Sequence, residues 1–285
     1  MACIIDGKAL AAEIKRNLKK DAEEFETRYG RKITLAVILV GENPASCVYV
    51  NNKVKAAEFV GIKSLSFRLP ESATERDVEQ VVKSLAADKS VDGILVQLPL
   101  PKHINEEKIL SLVPPEKDVD GFTAENVGNT TLFKDGINSC TPAGIIYMLK
   151  SINAPLCGKH AVVIGRSNIV GKPVAMLLLK ENCTITVCHS KTENLGEITR
   201  QADILIAAVG KPRFVKADMV KDGAIVIDVG INRTESGLCG DVDFDGVKDK
   251  ASYISPVPGG VGPMTIATLM QNVYKCAVRR ENAGL

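Results

Sequence analysis

Apolar residues fall in short continuous runs, and these alternate with stretches of helical spacing along most of the chain. "ITLAVILVG" (33–41) is unbroken and closed by glycine, the pattern of a strand buried on both faces. "ASCVYVNNKVKAAEFVG" reads as a helix ended by Gly61. "KSLSFRLP" predicts a second strand, and "TERDVEQVVKSLAAD" a helix opened by Thr74 with Asp77 three residues on. "VDGILVQLPLP" (91–101) predicts a third strand that stops at prolines. "LVPPEKDVDGFTAENVGN" is looser, rich in Pro, Asp and Gly, and "TPAGIIYMLKS" begins a helix with Pro142 in its first turn. The alternation then restarts with strand "HAVVIG", helix "KPVAMLLLKEN", strand "TITVCH", helix "ENLGEITRQ", and strands "ADILIAAVG" and "GAIVIDVG". "SPVPGGVGPMTIATLMQNVYKCAVRR" is a glycine-rich loop feeding one long helix.

Two βαβ modules of an α/β fold, joined near residues 120–145, account for this order. The first spans 1–120 and the second, Rossmann-like, spans 140–262. The final helix, 263–285, starts well after the last strand of the second module and is expected to pack back on the first.

Composition narrows the function classes. At 285 residues the chain suits two modest domains, and 45% hydrophobic with 25% charged residues is ordinary for a soluble protein. A net charge of +2 without a dense basic stripe argues against a nucleic-acid surface. The busiest basic stretch, "KRNLKK", runs into "DAEEFE" and reads as the solvated face of one helix. No apolar run reaches membrane-spanning length, and the N-terminus lacks the apolar core of a signal peptide. Eight cysteines are scattered without C-x-x-C, and the three histidines lie far apart. That usage fits reduced thiols in a cytoplasm, with neither a disulfide framework nor a metal site expected.

"VVIGRSNIVGKP" (162–173) follows an apolar strand and opens a helix, where a dinucleotide's pyrophosphate meets backbone N–H groups. Gly165 and Gly171 are in place, but Ser167 replaces the middle glycine and the last spacing is one residue longer. It is not a P-loop, because Pro173 takes the Ser/Thr position. At the end of the next strand an NAD site carries Asp or Glu; "TVCHSKT" offers His189, Ser190 and Lys191 instead, and Arg166 lies in the turn. Basic and hydroxyl groups there suit the 2′-phosphate of NADP. Glu193 keeps NAD open as the alternative.

In the first module, Gln97 interrupts an apolar run, and a buried amide needs partners; an edge position facing solvent is the plain alternative. "KDVDGF" carries Asp118 and Asp120, which are ordinary turn residues when taken alone. "PVPGGVGPMT" (256–265) is either a tight connection or a backbone that a flat ligand can approach closely. Tyr49 and Lys53 share a helix face one turn apart. A short-chain-reductase reading of that pair fails on order, since the nucleotide turn lies far downstream instead of upstream.

Together, "SCVYVNNKVKAAEFVGI", "VDGILVQLPLP", "KDVDGF", "GRSNIVGKPVA", "CHS" and "PVPGGVGPMT" resemble the bifunctional methylenetetrahydrofolate dehydrogenase/cyclohydrolase family in order and spacing. The resemblance implies an N-terminal catalytic domain and an NADP domain facing each other across a folate-holding cleft. It places Ser46, Tyr49 and Lys53 in the family's Ser-x-x-Tyr-x-x-x-Lys element, with Lys53 moving protons and Tyr49 stacking on or placing the folate. Gln97, followed by Leu98 and Pro99, would hold the lysine amine, and Asp120 would accept hydrogen bonds from the pterin edge. Gly165, Arg166, Ser167, Ser190 and Ile231 would bind NADP, and Pro258, Gly259 and Gly262 the substrate. A homodimer is also implied. The chain ends at Leu285 soon after the final helix, so a fused formyltetrahydrofolate synthetase domain is not expected. Two other readings are an NAD-linked dehydrogenase with weak cyclohydrolase activity and a nucleotide-sensing protein without turnover. Retention of Lys53, Gln97 and Asp120 counts against the second.

Overall fold

A computed structural model describes every residue except Ser236 and Leu285. Among the described residues the strands are β1 (Cys3–Ile4), β2 (Thr34–Val40), β3 (Lys63–Leu69), β4 (Gly93–Val96), β5 (His160–Ile164), β6 (Thr184–Cys188), β7 (Ile204–Ala207), β8 (Ile225–Asp228), β9 (Asn232–Thr234), β10 (Gly237–Cys239) and β11 (Tyr253–Ile254). They build a parallel three-stranded sheet in order β3-β2-β4 and a parallel six-stranded sheet in order β1-β11-β8-β7-β5-β6. A separate antiparallel hairpin pairs β9 with β10. The chain divides into two units, one of residues 1–11 and 141–265, the other of residues 12–140 and 266–285.

The three-stranded sheet shows why an unbroken apolar run makes a central strand. Alternate side chains of β2 go to opposite faces: Leu35, Val37 and Leu39 join one core cluster, Ala36, Ile38 and Val40 another. Helix Pro44–Val60 contributes Val50, Ala57 and Val60 to the first cluster. Helix Glu75–Ala87, opened by the capping box between Thr74 and Asp77, contributes Val78, Val82 and Leu85 to the second. The final helix, Val261–Ala283, adds Leu269, Met270, Val273, Cys276 and Ala277 to the first cluster. Near its end Arg280, 4% exposed, donates to Asp92 Oδ1 at 2.9 Å, to the Val91 carbonyl at 2.6 Å and to the Lys89 carbonyl at 3.1 Å. Arg31 binds the same carboxylate through both terminal nitrogens at 2.8 Å.

Several elements differ from the sequence reading. Residues 1–11, expected in the first module, belong with the second, because β1 pairs with β11 and extends the six-stranded sheet. The third strand is shorter than "VDGILVQLPLP" and ends at Val96, just before Gln97 and the prolines, which have no N–H for a ladder. The loose 112–129 stretch runs into a helix, Ala124–Thr131, begun by the Thr123 side chain accepting from the Asn126 N–H. The final helix opens at Val261, two residues early; Pro263 sits in its first turn, where no intrahelical N–H is required.

Candidate active site

The N-terminus of helix Pro44–Val60 is set by Asn43, whose side chain accepts from the N–H groups of Ala45 (3.0 Å) and Ser46 (3.2 Å). Gly61, at φ 84°, ends it. Between these stops the buried positions are Ser46, Val50, Lys53, Ala56, Ala57 and Val60. Lys53 therefore occupies the core-facing stripe and is only 9% exposed. Its ammonium donates to Gln97 Oε1 at 3.0 Å. Gln97 is half-buried just past β4, and its Nε2 donates to the Leu98 carbonyl at 2.6 Å, which orients the amide oxygen toward the lysine. Pro99 is exposed, and Leu98–Pro99 is cis. Tyr49 sits one turn before Lys53 and is half-buried.

The two aspartates of "KDVDGF" separate clearly. Asp118 is buried and accepts from the N–H groups of Gly121 (2.9 Å) and Thr123 (2.8 Å), the Thr123 hydroxyl (2.8 Å) and Asn126 Nδ2 (3.0 Å). It closes the loop and the start of the next helix. Gly121 is at φ 69°, and a Cβ there would crowd the backbone of 137–139 at 2.7–2.8 Å. Asp120 takes no part in that closure and lies within the electrostatic field of Lys53. Burial pushes its carboxyl up to about 6; the Lys53 charge opposes that rise, and Asp118 adds to it.

Sequence reading missed two groups around Asp120. Cys140 donates its thiol toward the Val119 carbonyl (3.3 Å) and lies 3.9 Å from Asp120 Oδ1; burial, then the Asp120 charge, holds that thiol well above its ordinary pKa. Asn272, on the final helix, donates Nδ2 to the carbonyls of Val119 and Asn138, both at 2.9 Å. The available signal was an amide in "TIATLMQNVYKC" one turn after Thr268, whose hydroxyl binds the Cys140 carbonyl at 2.7 Å. Lys53, Gln97, Asp120, Cys140 and Asn272 all belong to the unit of residues 12–140 and 266–285.

In the other unit the strand order reverses at β5, with β6 on one side and β7 and β8 on the other. Ligands of open α/β sheets gather beyond the carboxyl ends of strands at such a switch point. Gly165 follows β5 at φ 130°, and a Cβ there would overlap the Ala208 carbonyl oxygen. A Cβ on Gly171 would overlap the Gly165 carbonyl. Ser167, in place of the fingerprint's middle glycine, accepts from the N–H groups of Val170 (3.2 Å) and Gly171 (3.3 Å) and so closes the turn. Arg166, Ser190 and Lys191 are exposed and His189 half-buried, leaving cationic and hydroxyl groups accessible for a phosphate. This donor set fits a phosphorylated dinucleotide. Ile231 is exposed, and its Cδ1 lies 3.5 Å from where a Gly262 Cβ would stand. Pro258 is exposed after a cis Val257–Pro258 bond, and the Gly259 carbonyl accepts from the Lys8 N–H at 2.8 Å.

Two family models match the chain. Residues 5–120 match the tetrahydrofolate dehydrogenase/cyclohydrolase catalytic domain, and residues 139–281 match the NAD(P)-binding domain of that family. The bifunctional protein FolD of Agathobacter rectalis is 56% identical over 280 residues, covering 98% of this chain and 100% of the relative. The FolD crystal structure from Campylobacter jejuni, a methylenetetrahydrofolate dehydrogenase/cyclohydrolase, superposes with a TM-score of 0.96 at 51% identity, covering 98% of this chain and 100% of that one. The Trypanosoma brucei enzyme, solved with NADP cofactor and an inhibitor, has a TM-score of 0.93 at 39% identity, covering 98% and 99%. With both halves of its length matched in order, and a buried lysine held by a half-buried amide in the first of them, this chain belongs to the tetrahydrofolate dehydrogenase/cyclohydrolase family.

Proposed function

We propose that the chain oxidises 5,10-methylenetetrahydrofolate to the 5,10-methenyl cation with NADP, then hydrolyses that cation to 10-formyltetrahydrofolate. The observation that carries this reading is the Lys53–Gln97–Asp120 group: a buried ammonium held at 3.0 Å by an amide, within the field of a carboxylate. NADP supplies the hydride acceptor when bound. The bridging carbon loses hydride, and lone pairs of the two flanking folate nitrogens stabilise the cation, so this step asks the protein mainly for orientation. Tyr49 and Asp120 are assigned that task, Asp120 by accepting from the amino and amide edge of the pterin.

Ring opening asks for proton movement. Water adds to the cationic carbon and gives up one proton, leaving a hydroxyl. That hydroxyl loses its proton as the carbonyl forms and the bond from the carbon to one nitrogen breaks. That nitrogen takes up a proton and the other nitrogen keeps the formyl group, so that one proton is released overall. Lys53 moves the proton, and Gln97 holds its amine in place. Ser46, buried on the same helix, completes the element to which Tyr49 and Lys53 belong. Leu98, Pro99, Pro258, Gly259 and Gly262 are assigned to the folate.

Cofactor roles follow the strand order. The 2′-phosphate falls to Arg166 and Ser190 at the ends of β5 and β6, and the pyrophosphate to the backbone of Gly165 to Ser167. The nicotinamide end then extends past β7 toward β8, where Ile231 follows. Purified protein with methylenetetrahydrofolate and either NADP or NAD, monitored for methenyl and 10-formyl products, tests the whole reading; no product with either nucleotide overturns it. Pairing as a homodimer and residence in the cytoplasm extend the reading from the family resemblance and the cysteine usage. A solution mass of one 30.5 kDa chain by light scattering would reject pairing.

A further inference from the structure

Two buried carboxylates in the nucleotide unit have no part in the scheme above. Asp228 ends β8 at 3% exposure, and Asp241 is fully buried at 0%. Asp228 accepts from the N–H groups of Gly230, Asp241 and Val242, each at 2.9 Å. Asp241 accepts from the N–H groups of Val209 (2.6 Å), Gly210 (2.8 Å) and Lys211 (2.9 Å), and from Asn232 Nδ2 (2.9 Å). The carboxylates are seated on glycines in a crossed arrangement. A Cβ on Gly240 would overlap the Asp228 carboxylate, and one on Gly230 would overlap that of Asp241. Among the described residues neither has a cation within ion-pair distance, so backbone and amide N–H groups alone offset their charge.

What these bonds fix is specific. Asp241 ties the loop after β7 to Asn232, the first residue of β9, and Asp228 ties Gly230, in the loop between β8 and β9, to 241–242. Both loops leave the carboxyl ends of central parallel strands, where a dinucleotide lies. Between Gly230 and Asn232 stands Ile231, the exposed residue given to the nicotinamide end. We infer that Asp228 and Asp241 are positioning residues for the dehydrogenase step, holding the backbone on either side of Ile231 at the place the nicotinamide occupies. This rests on the proposed cofactor role of that loop. The hydrolytic residues Lys53, Gln97 and Asp120 belong to the other unit, so disturbing the pair should separate the two activities.

Asp241→Asn keeps the volume but aims an NH2 group at N–H donors, since an amide oxygen cannot accept at both carboxylate positions. The expected result is a kcat/KM for NADP-dependent oxidation lowered at least about tenfold, given the sensitivity of hydride transfer to small displacements. Hydrolysis of supplied methenyltetrahydrofolate, which consumes no nucleotide, should stay near the wild-type rate. Gly230→Ala is a second, independent perturbation of the same contact and should give the same split. An unchanged kcat/KM for NADP in either folded variant overturns the inference, and so does an equal loss of both activities, which marks a merely structural role. Failure of the underlying reading looks different: the unmodified protein would then show no NADP-dependent oxidation.

Discussion

The candidate sites of the two units are built in opposite ways. In the unit of β2, β3 and β4, the site is made of side chains: a lysine in a core-facing stripe, an amide that interrupts an apolar run and a carboxylate whose neighbour closes the loop. In the unit of the six-stranded sheet it is made largely of backbone, with glycines packed against carbonyls and exposed Arg166, Ser190 and Lys191 offering side chains. Groups that move protons must be desolvated and held, which requires buried polar contacts. A dinucleotide requires bare N–H groups and room, which glycine provides.

That contrast is broken most severely at Lys53. Lys53→Ala should lower methenyl hydrolysis by about 10²- to 10⁴-fold, the range for loss of a proton-transfer group, with hydride transfer less affected. Single-turnover assays of the two steps decide it, and wild-type hydrolysis would remove the lysine from the mechanism. Next in size is Gly165→Ala. A Cβ at φ 130° against the Ala208 carbonyl should cost roughly 1–3 kcal/mol of stability. It should also weaken NADP binding, read by thermal melting with and without NADP. Arg166→Ala should weaken NADP binding about tenfold, or roughly 1.4 kcal/mol, while NAD binding changes less. An equal loss for both nucleotides in a calorimetric titration would reject a 2′-phosphate contact.

The smallest effect is a pH signature of Asp120. Its carboxyl holds a proton up to about 6 when folded, against 3.8 ordinarily, so the accepting carboxylate is lost as pH falls through about 6. The folate KM should rise a few-fold across that step, and the step should vanish in Asp120→Asn. Stability runs the other way. The folded state binds this proton more tightly than the unfolded chain, so the Asp120 contribution grows as pH falls from about 6 toward 3.8. The difference between the melting profiles of wild type and Asp120→Asn isolates it.

Much of this was legible where local chemistry conflicted with local pattern. Gln97 broke an apolar run, and Ser167 broke a glycine fingerprint; both have hydrogen-bonded tasks at those points. The division of labour between Asp118 and Asp120 was not legible, because it depends on Thr123 and Asn126 meeting Asp118 after the following helix forms. Cys140 and Asn272 were missed because a small thiol and a lone amide look like packing residues until helices from distant segments converge. The two-residue strands β1 and β11 exist only through pairing across the length of the chain, and no periodicity shows in so few residues.

Arg280 and its neighbours on the final helix also set an order of events. The ribosome adds Leu269 to Arg280 after all of residues 141–265, yet these late residues fill the core around β2 and neutralise Asp92. The unit that moves protons thus starts translation early and finishes late. During synthesis of the whole nucleotide unit, β2 and helix Pro44–Val60 therefore lack the part of their apolar cover that the final helix supplies.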